Sequence, residues 1–510
     1  MFLNLGNGVD MLTKNKNSFT LYAAGLVIGL VLLNLIARDI FKRFDLTDNS
    51  MYSLSSSSRK IVENLDDLLT MKVYFSDNLP NELGNTRRFL QDILEEYGAW
   101  SDDVRFFFHN PESDTDLEEQ ARKDGIQPVQ MQVIENDKVE IKKVYLGMVL
   151  LYENKKEVIP VIQTTAGLEY MISTKIKSLI DIDKKTIGIA QLDKENPIKT
   201  ENLSAQLNQH YSFTTVDLKN AISPEIDVLL LTAASDSLEP DVKTNLESFI
   251  NLGKKVFITQ SGLTTDIQTQ QANPIESDIF TLLQNYGLIV KKNLVLDKKC
   301  GSVQVQERRG IFLMNRPMEY PFFPVVQNFN TDEVLVSDLE QVLTFFPSEI
   351  ELDTTSNDLV INNLSLFSSS NNSGIMEGNF MLSPDPQQNP FLNILGQKGK
   401  ILSALSKLST GAEIILVSDS KFFADDGGMS IQDNLVFVMN AVDYLAGDKE
   451  LIALRSREIT SRPLEEMEDS TKRNWKFANM LLPSILIIGF GFLRLRGQKQ
   501  NAEILRQIYD

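Results

Sequence analysis

The sequence predicts a membrane-anchored α/β protein. Two patterns carry that expectation: an uncharged apolar segment near each end, and apolar strand-like runs alternating with amphipathic helical stretches between them. The length adds a third. At 510 residues the chain exceeds what one core holds, and roughly 150 residues per domain leaves room for about three units.

The first apolar segment, Ser18 to Ala37, carries no charge over 20 residues. At about 1.5 Å per helical residue it matches a hydrocarbon layer about 30 Å thick. The charged sequence after it lacks the small-residue cleavage site of a signal peptide. Gly25 and Gly29 lie one helical turn apart, a spacing that lets a second helix approach closely in lipid. The second segment, Phe477 to Leu493, is 17 uncharged residues between Trp475 and the pair Arg494 and Arg496, with aromatic and basic anchors at its ends. Residues 1–17 and 494–510 are then expected in the cytoplasm and Arg38 to Lys476 outside it. Basic residues flank both faces of both spans, so the charge rule alone leaves the orientation open.

Residues 38–183 read as one domain. "RKIVENLDDLL" places Ile61, Val62, Leu65, Leu68 and Leu69 on one helical stripe, with the serines of "YSLSSSS" before it as N-caps. Then follow the strand "LTMKVYFSD", a helix, the strand "DVRFFFHN", a helix ending at Gly125, the strands "VQMQVIEND" and "KKVYLGMVLLYEN", and the helix "GLEYMISTKIKSLI". This βαβαββα order is that of a thioredoxin-like fold, with Pro128 where that fold carries its cis-proline. No Cys-x-x-Cys is present, so redox chemistry is not expected.

Residues 184–455 read as a doubly wound α/β domain. Its strand runs "KKTIGIAQLD", "IDVLLLTAA", "KKVFITQSG" and "GAEIILVSDS" are continuously apolar, as in a parallel sheet covered on both faces. A Ser-, Asn- and Pro-rich interruption from about 300 to 400 reads as a β-rich insertion. Residues 456–476 form a charged linker to the second span.

The chemistry-bearing inventory is thin. The net charge of −19 gives no footing for nucleic acid. One cysteine and two histidines exclude an intrachain disulfide and any Cys-based metal cluster. No Gly-rich phosphate cradle follows the first strand of the second domain, so no cofactor is expected. Ligands of such sheets bind beyond the carboxyl ends of the strands, where the loop "SDSKFFADDGG" offers Asp419, Asp425 and Asp426 to a cation or a sugar hydroxyl. The plainer reading makes Asp419 a helix or turn cap. Ser261 in "TQSG" loosely resembles a nucleophile elbow with His210 as the base to hand, and Cys300 is a lone thiol.

Several stretches together resemble the GldG-like family, the gliding-motility-type auxiliary subunits of ABC transporters. These are "RFDLTDNSMYSLSSSSRKIVENLDD", "GLEYMISTKIKSL", "PEIDVLLLTAASDSLEPDVKTNLESFINLGKKVFI", "YGLIVKKNLVLD", "ILVSDSKFFADD", "NLVFVMNAVDYLAGD" and the terminal "LLPSILIIGFGFLRLR". The resemblance implies a non-catalytic subunit of the bacterial inner membrane with a large extracytoplasmic region. Its implied partners are an ABC-2-type permease, a separate ATPase and an extracytoplasmic envelope protein. It also implies that the second domain is a non-catalytic relative of amidotransferase folds. The departure "NLGKKVFI", where many members carry a double glycine, falls in a turn. The alternative is an extracytoplasmic glycan- or solute-binding protein acting through the acidic loop.

Overall fold

Continuous apolar runs become buried strands, and the amphipathic stretches between them become the helices that cover them. The computed structural model describes residues 24–30, 53–77, 79, 81–135, 138–165, 167–181, 184–309, 312–353, 358–385, 389, 391–456 and 469–509. The chain divides into two units, Met1–Glu458 and Ile459–Asp510.

Within the first unit, helix α1 (Ser56–Glu63) leads into β1 (Leu69–Phe75), α2 (Asn81–Trp100), β2 (Val104–His109) and α3 (Thr115–Lys123). Strands β3 (Val129–Glu135) and β4 (Lys138–Val144) come next, then β5 (Leu146–Tyr152), β6 (Lys155–Ile159) and α4 (Leu168–Ile180). The sheet order is β2-β1-β5-β6, with β1 parallel to β2 and antiparallel to β5. This corrects the strand assignment from sequence: "VQMQVIEND" is not the third sheet strand but pairs with β4 in a separate hairpin. The run "KKVYLGMVLLYEN" is two strands broken at Tyr145, and the short, polar β6 closes the sheet. Pro128 therefore precedes the hairpin, and no cis peptide occurs among the described residues.

The second layer is an eight-stranded sheet. Strands β7 (Thr186–Ala190), β8 (Ser212–Thr215), β9 (Val228–Leu231), β10 (Lys255–Thr259) and β16 (Glu413–Val417) run parallel in the order β8-β7-β9-β10-β16. The residues 300–400 expected as an insertion form the hairpin β11 (Cys300–Arg309) and β12 (Phe312–Val326). They also supply β13 (Asn328–Phe329) and β14 (Val360–Ser368), which extend the large sheet through the antiparallel β15 (Ile401–Leu408). So the interruption is only partly an insertion. A satellite core around Phe322, Phe346 and Leu296 holds the rest of it. Helices α5 (Glu201–Leu207), α6 (Pro240–Asn251), α7 (Ile279–Asn285) and α8 (Gln432–Ala446) belong to this layer, and the unit ends with α9 (Lys449–Ser456).

Helix α9 ties the two layers together. Its Leu451 and Leu454 sit in the core of the first layer, and its Ile452 in a core of the second. It packs on α1, α4 and α8.

The described residues of the second unit form one helix, α10 (Asp469–Tyr509), which starts inside the stretch expected as a linker and continues through Pro483. Residues Ser470–Gly497 are long and apolar enough to cross a membrane, the one such helix among the described residues. The other expected span, 18–37, lies outside the described residues except for 24–30, which are helical and exposed, with open space where a Cβ on Gly25 or Gly29 would point.

Candidate functional site

Two polar constellations stand out in the first unit. One joins the layers. Ser55 caps α1 by accepting from the Ser58 N–H at 3.0 Å. The Ser55 N–H and the Ser58 hydroxyl both donate to Glu169 Oε1 of α4 at 2.7 Å. Ser58 Oγ lies 2.7 Å from Ser173 Oγ, which lies 2.5 Å from the Tyr97 hydroxyl. The serine-rich bend therefore locks α1 onto α2 and α4. Nearby, the buried Arg455 of α9 donates to Asp443 Oδ2 at 2.7 Å, Asn440 Oδ1 at 2.5 Å and the Tyr170 hydroxyl at 2.6 Å. Tyr211 donates to the other oxygen of Asp443 at 2.6 Å. Burial works against the Arg455 charge, but Asp443 and Tyr170 outweigh it and hold the guanidinium protonated. Sequence reasoning missed this clasp, because Arg455 sat at the expected domain boundary and Asp443 inside an apolar helix.

The other constellation lies at the carboxyl ends of the parallel strands. The chain passes from β7 to β8 on one side and then returns to β9 on the other, so the order reverses between β7 and β9. Doubly wound sheets form a crevice at such a reversal. A cavity of about 320 Å³ occupies it here. Gln191 and Asp193 reach it from the loop after β7, Thr232 and Ser235 from that after β9, Ser261 from β10, and Ser420 with Lys421 from β16. Phe345 and Phe346 complete the wall from a strap in the 300–400 region.

The strap is held in place. Asp419, fully buried, accepts from the Phe345 N–H and the Lys421 N–H, each at 2.8 Å. Burial pushes its carboxyl up to about 7, and those two N–H groups and the Lys421 charge pull the other way. Phe346 adopts a φ of 50°, in the left-handed region that bulky residues avoid. Beside the strap, Gly262 lies where a Cβ would come 2.1 Å from the Lys291 carbonyl oxygen, so "TQSG" needs its glycine for a close backbone approach.

The three acids picked out from sequence have separate partners. Asp419 anchors the strap. Asp425 accepts from the N–H groups of Glu201 and Asn202 at 2.9 and 3.0 Å, capping α5 from another loop. Asp426 is exposed and pairs with Lys421 at 3.7 Å. Among the described residues no three His, Cys, Asp or Glu side chains group to hold a metal ion.

The nucleophile candidates stay apart as well. Ser261 Oγ donates to the Leu263 carbonyl at 2.8 Å and lies 2.8 Å from Ser420 Oγ. His210 lines a different pocket, beside Lys177 and Asp448, with Nε2 3.4 Å from the Tyr170 hydroxyl. Burial first, then the Arg455 and Lys175 charges, lower its imidazole to about 4. The half-buried Cys300 thiol is pushed up to about 11, by burial and then by Glu319, which keeps it protonated at neutral pH.

Fold and site together define a mixed α/β protein whose sequence candidates do not assemble a nucleophile with its base. Residues 184–441 match the model of a family described as "ABC-type uncharacterized transport system", and residues 48–151 match a domain of unknown function (DUF7088). The chain belongs to the first family, the auxiliary components of ABC-type transport systems. An uncharacterized protein of Borreliella burgdorferi is 25% identical over 519 residues, covering 96% of this chain and 100% of the relative. Among solved structures, the N-terminal domain of mmIFT52 aligns with a TM-score of 0.34 and 10% identity, over 51% of this chain and 96% of that one. A ThuA-like protein from Parabacteroides merdae gives 0.29 and 10%, over 56% and 94%. A glutamine amidotransferase from Thermotoga maritima gives 0.26 and 9%, over 55% and 100%. Scores this low lend no weight to a shared activity.

Proposed function

We propose that this protein is a non-catalytic, membrane-anchored subunit that couples an ABC-2-type permease and a separate ATPase to extracytoplasmic partners, as in gliding-motility-type export. Its large region lies outside the bacterial inner membrane, and the four-stranded layer serves as a thioredoxin-like scaffold without redox chemistry. One observation carries the reading: α1 and α9, the segments nearest the two apolar stretches in sequence, pack against each other and are clasped by Glu169 and Arg455. A subunit that transmits displacement needs the two ends of its folded region tied stiffly together. The Gly25 and Gly29 face is the proposed contact with the permease.

The test is recovery of permease and ATPase with the tagged full-length chain from native membranes. Co-recovery in the wild type, weakened when Gly25 and Gly29 are both replaced by leucine, is the expected result. Absence of both partners from the wild-type eluate overturns the reading. Orientation is checked at Cys300: labelling by a membrane-impermeant thiol reagent in intact spheroplasts is expected. Labelling only after lysis, with denatured controls reactive, places the large region in the cytoplasm.

A further inference from the structure

We infer that the cavity at the reversal of the large sheet is a binding site for a neutral, polyhydroxylated small molecule, a sugar or cyclitol. The inference stands apart from the coupling role, since it rests on the hydrogen-bonding capacity of the wall. Thr232 commits its proton to Gln191 Oε1 at 3.1 Å and accepts from the Leu192 N–H at 3.2 Å. Ser261 commits its proton to the Leu263 carbonyl, and Ser420, which accepts from the Ser261 N–H at 3.1 Å, turns its own toward Ser261. Each of these wall hydroxyls has therefore spent its proton and one lone pair and keeps one lone pair, which calls for a donor on the ligand. Gln191 Nε2 spends one N–H on the Ile198 carbonyl at 3.0 Å and carries a second. The occupant must therefore both donate and accept, as hydroxyl groups do.

Charge argues against an ionic occupant. Asp193 is the one carboxylate on the wall. Partial burial raises its carboxyl, but the Ser235 hydroxyl and the N–H groups of Asn196 and Glu195 outweigh that and leave it below its usual value, already satisfied. The one ammonium, Lys421, faces Asp426. Asp193 is thus held by hydrogen bonds and Lys421 by an ion pair. Phe345 supplies apolar area for the C–H face of a ring, and Phe346, buried behind it against Tyr320, Phe322 and Phe323, is held at the wall in a backbone conformation that costs energy. Strain of this kind persists where surroundings over-determine a residue, and it clusters at ligand clamps.

The experiment uses the full-length chain in lipid nanodiscs, free of glycoside detergents, with ligand-observed saturation-transfer NMR over a panel of pentoses, hexoses, inositols and glycerol. At least one neutral member is expected to give a saturable signal, while gluconate and glucosamine give weaker ones. Ala233→Phe, which fills the cavity, should abolish the signal. Ser420→Ala removes one wall hydroxyl and should weaken affinity up to about tenfold, the scale of one hydrogen bond; it is the arm to read if Ala233→Phe fails to fold. No saturable signal from any panel member, an unchanged signal in the folded variants, or stronger binding of the charged analogues each overturns the inference. Failure here leaves the recovery of permease and ATPase unaffected.

Discussion

The clasp between the layers and the cavity at the sheet's end use similar polar side chains to opposite ends. In the clasp every charge is spent: Arg455 meets Asp443, Asn440 and Tyr170, and Asp443 meets Tyr211 as well. In the cavity each of the hydroxyls of Thr232, Ser261 and Ser420 keeps one lone pair in hand. A buried polar group without a partner is costly, so saturation marks a junction built to stay closed. Residual capacity marks a surface built to take something else.

The comparison breaks most sharply at Arg455. Arg455→Met leaves Asp443 buried without its cation and should cost about 3–5 kcal/mol in denaturant unfolding of the full-length chain. Adding Asp443→Leu should recover much of that loss; if the single variant unfolds like wild type, the clasp does not hold the layers. Glu169→Ala comes next. It strips the Ser55 N–H and the Ser58 hydroxyl of their acceptor, for an expected loss of about 1–3 kcal/mol by the same measurement. Asp425→Ala, which uncaps α5, should cost about 0.5–2 kcal/mol, with ligand signals at the cavity retained. A larger loss at Asp425 than at Glu169 would reverse the ranking of the two regions.

The last effect is read as a slope with pH. Because the carboxyl of Asp419 is raised to about 7 in the folded chain from an ordinary 3.8, its contribution is fully present below the ordinary value. It is lost as pH rises through about 7. Wild-type stability should decline over that window more than that of Asp419→Asn, measured by unfolding midpoints from pH 4 to 8. Parallel profiles would mean that the N–H groups of Phe345 and Lys421 keep the carboxylate ionised throughout.

The parallel strands were legible because burial on both faces leaves runs of apolar residues, as in "VLLL" of β9 and the "IILV" that follows Glu413 in β16. The serine caps were legible for a similar reason, since capping is a local property. What failed was anything settled at long range. β6 reads "KKEVI", too polar and short to announce itself, and it displaced the β3–β4 pair from the sheet. The acidic loop drew attention through composition, yet Asp425 turns to Glu201 and Asn202, more than 200 positions away. The cavity draws on four loops whose serines and threonines are individually unremarked. Only the sheet order brings them together.

Helix α9 is short, eight residues, yet it belongs to two cores at once. Neither layer can melt without stripping apolar cover from the other, so calorimetry of the first unit should register one transition rather than two. Mechanically it acts as a rivet: a pull arriving at Ser456 loads both layers in parallel, and neither can be peeled away first.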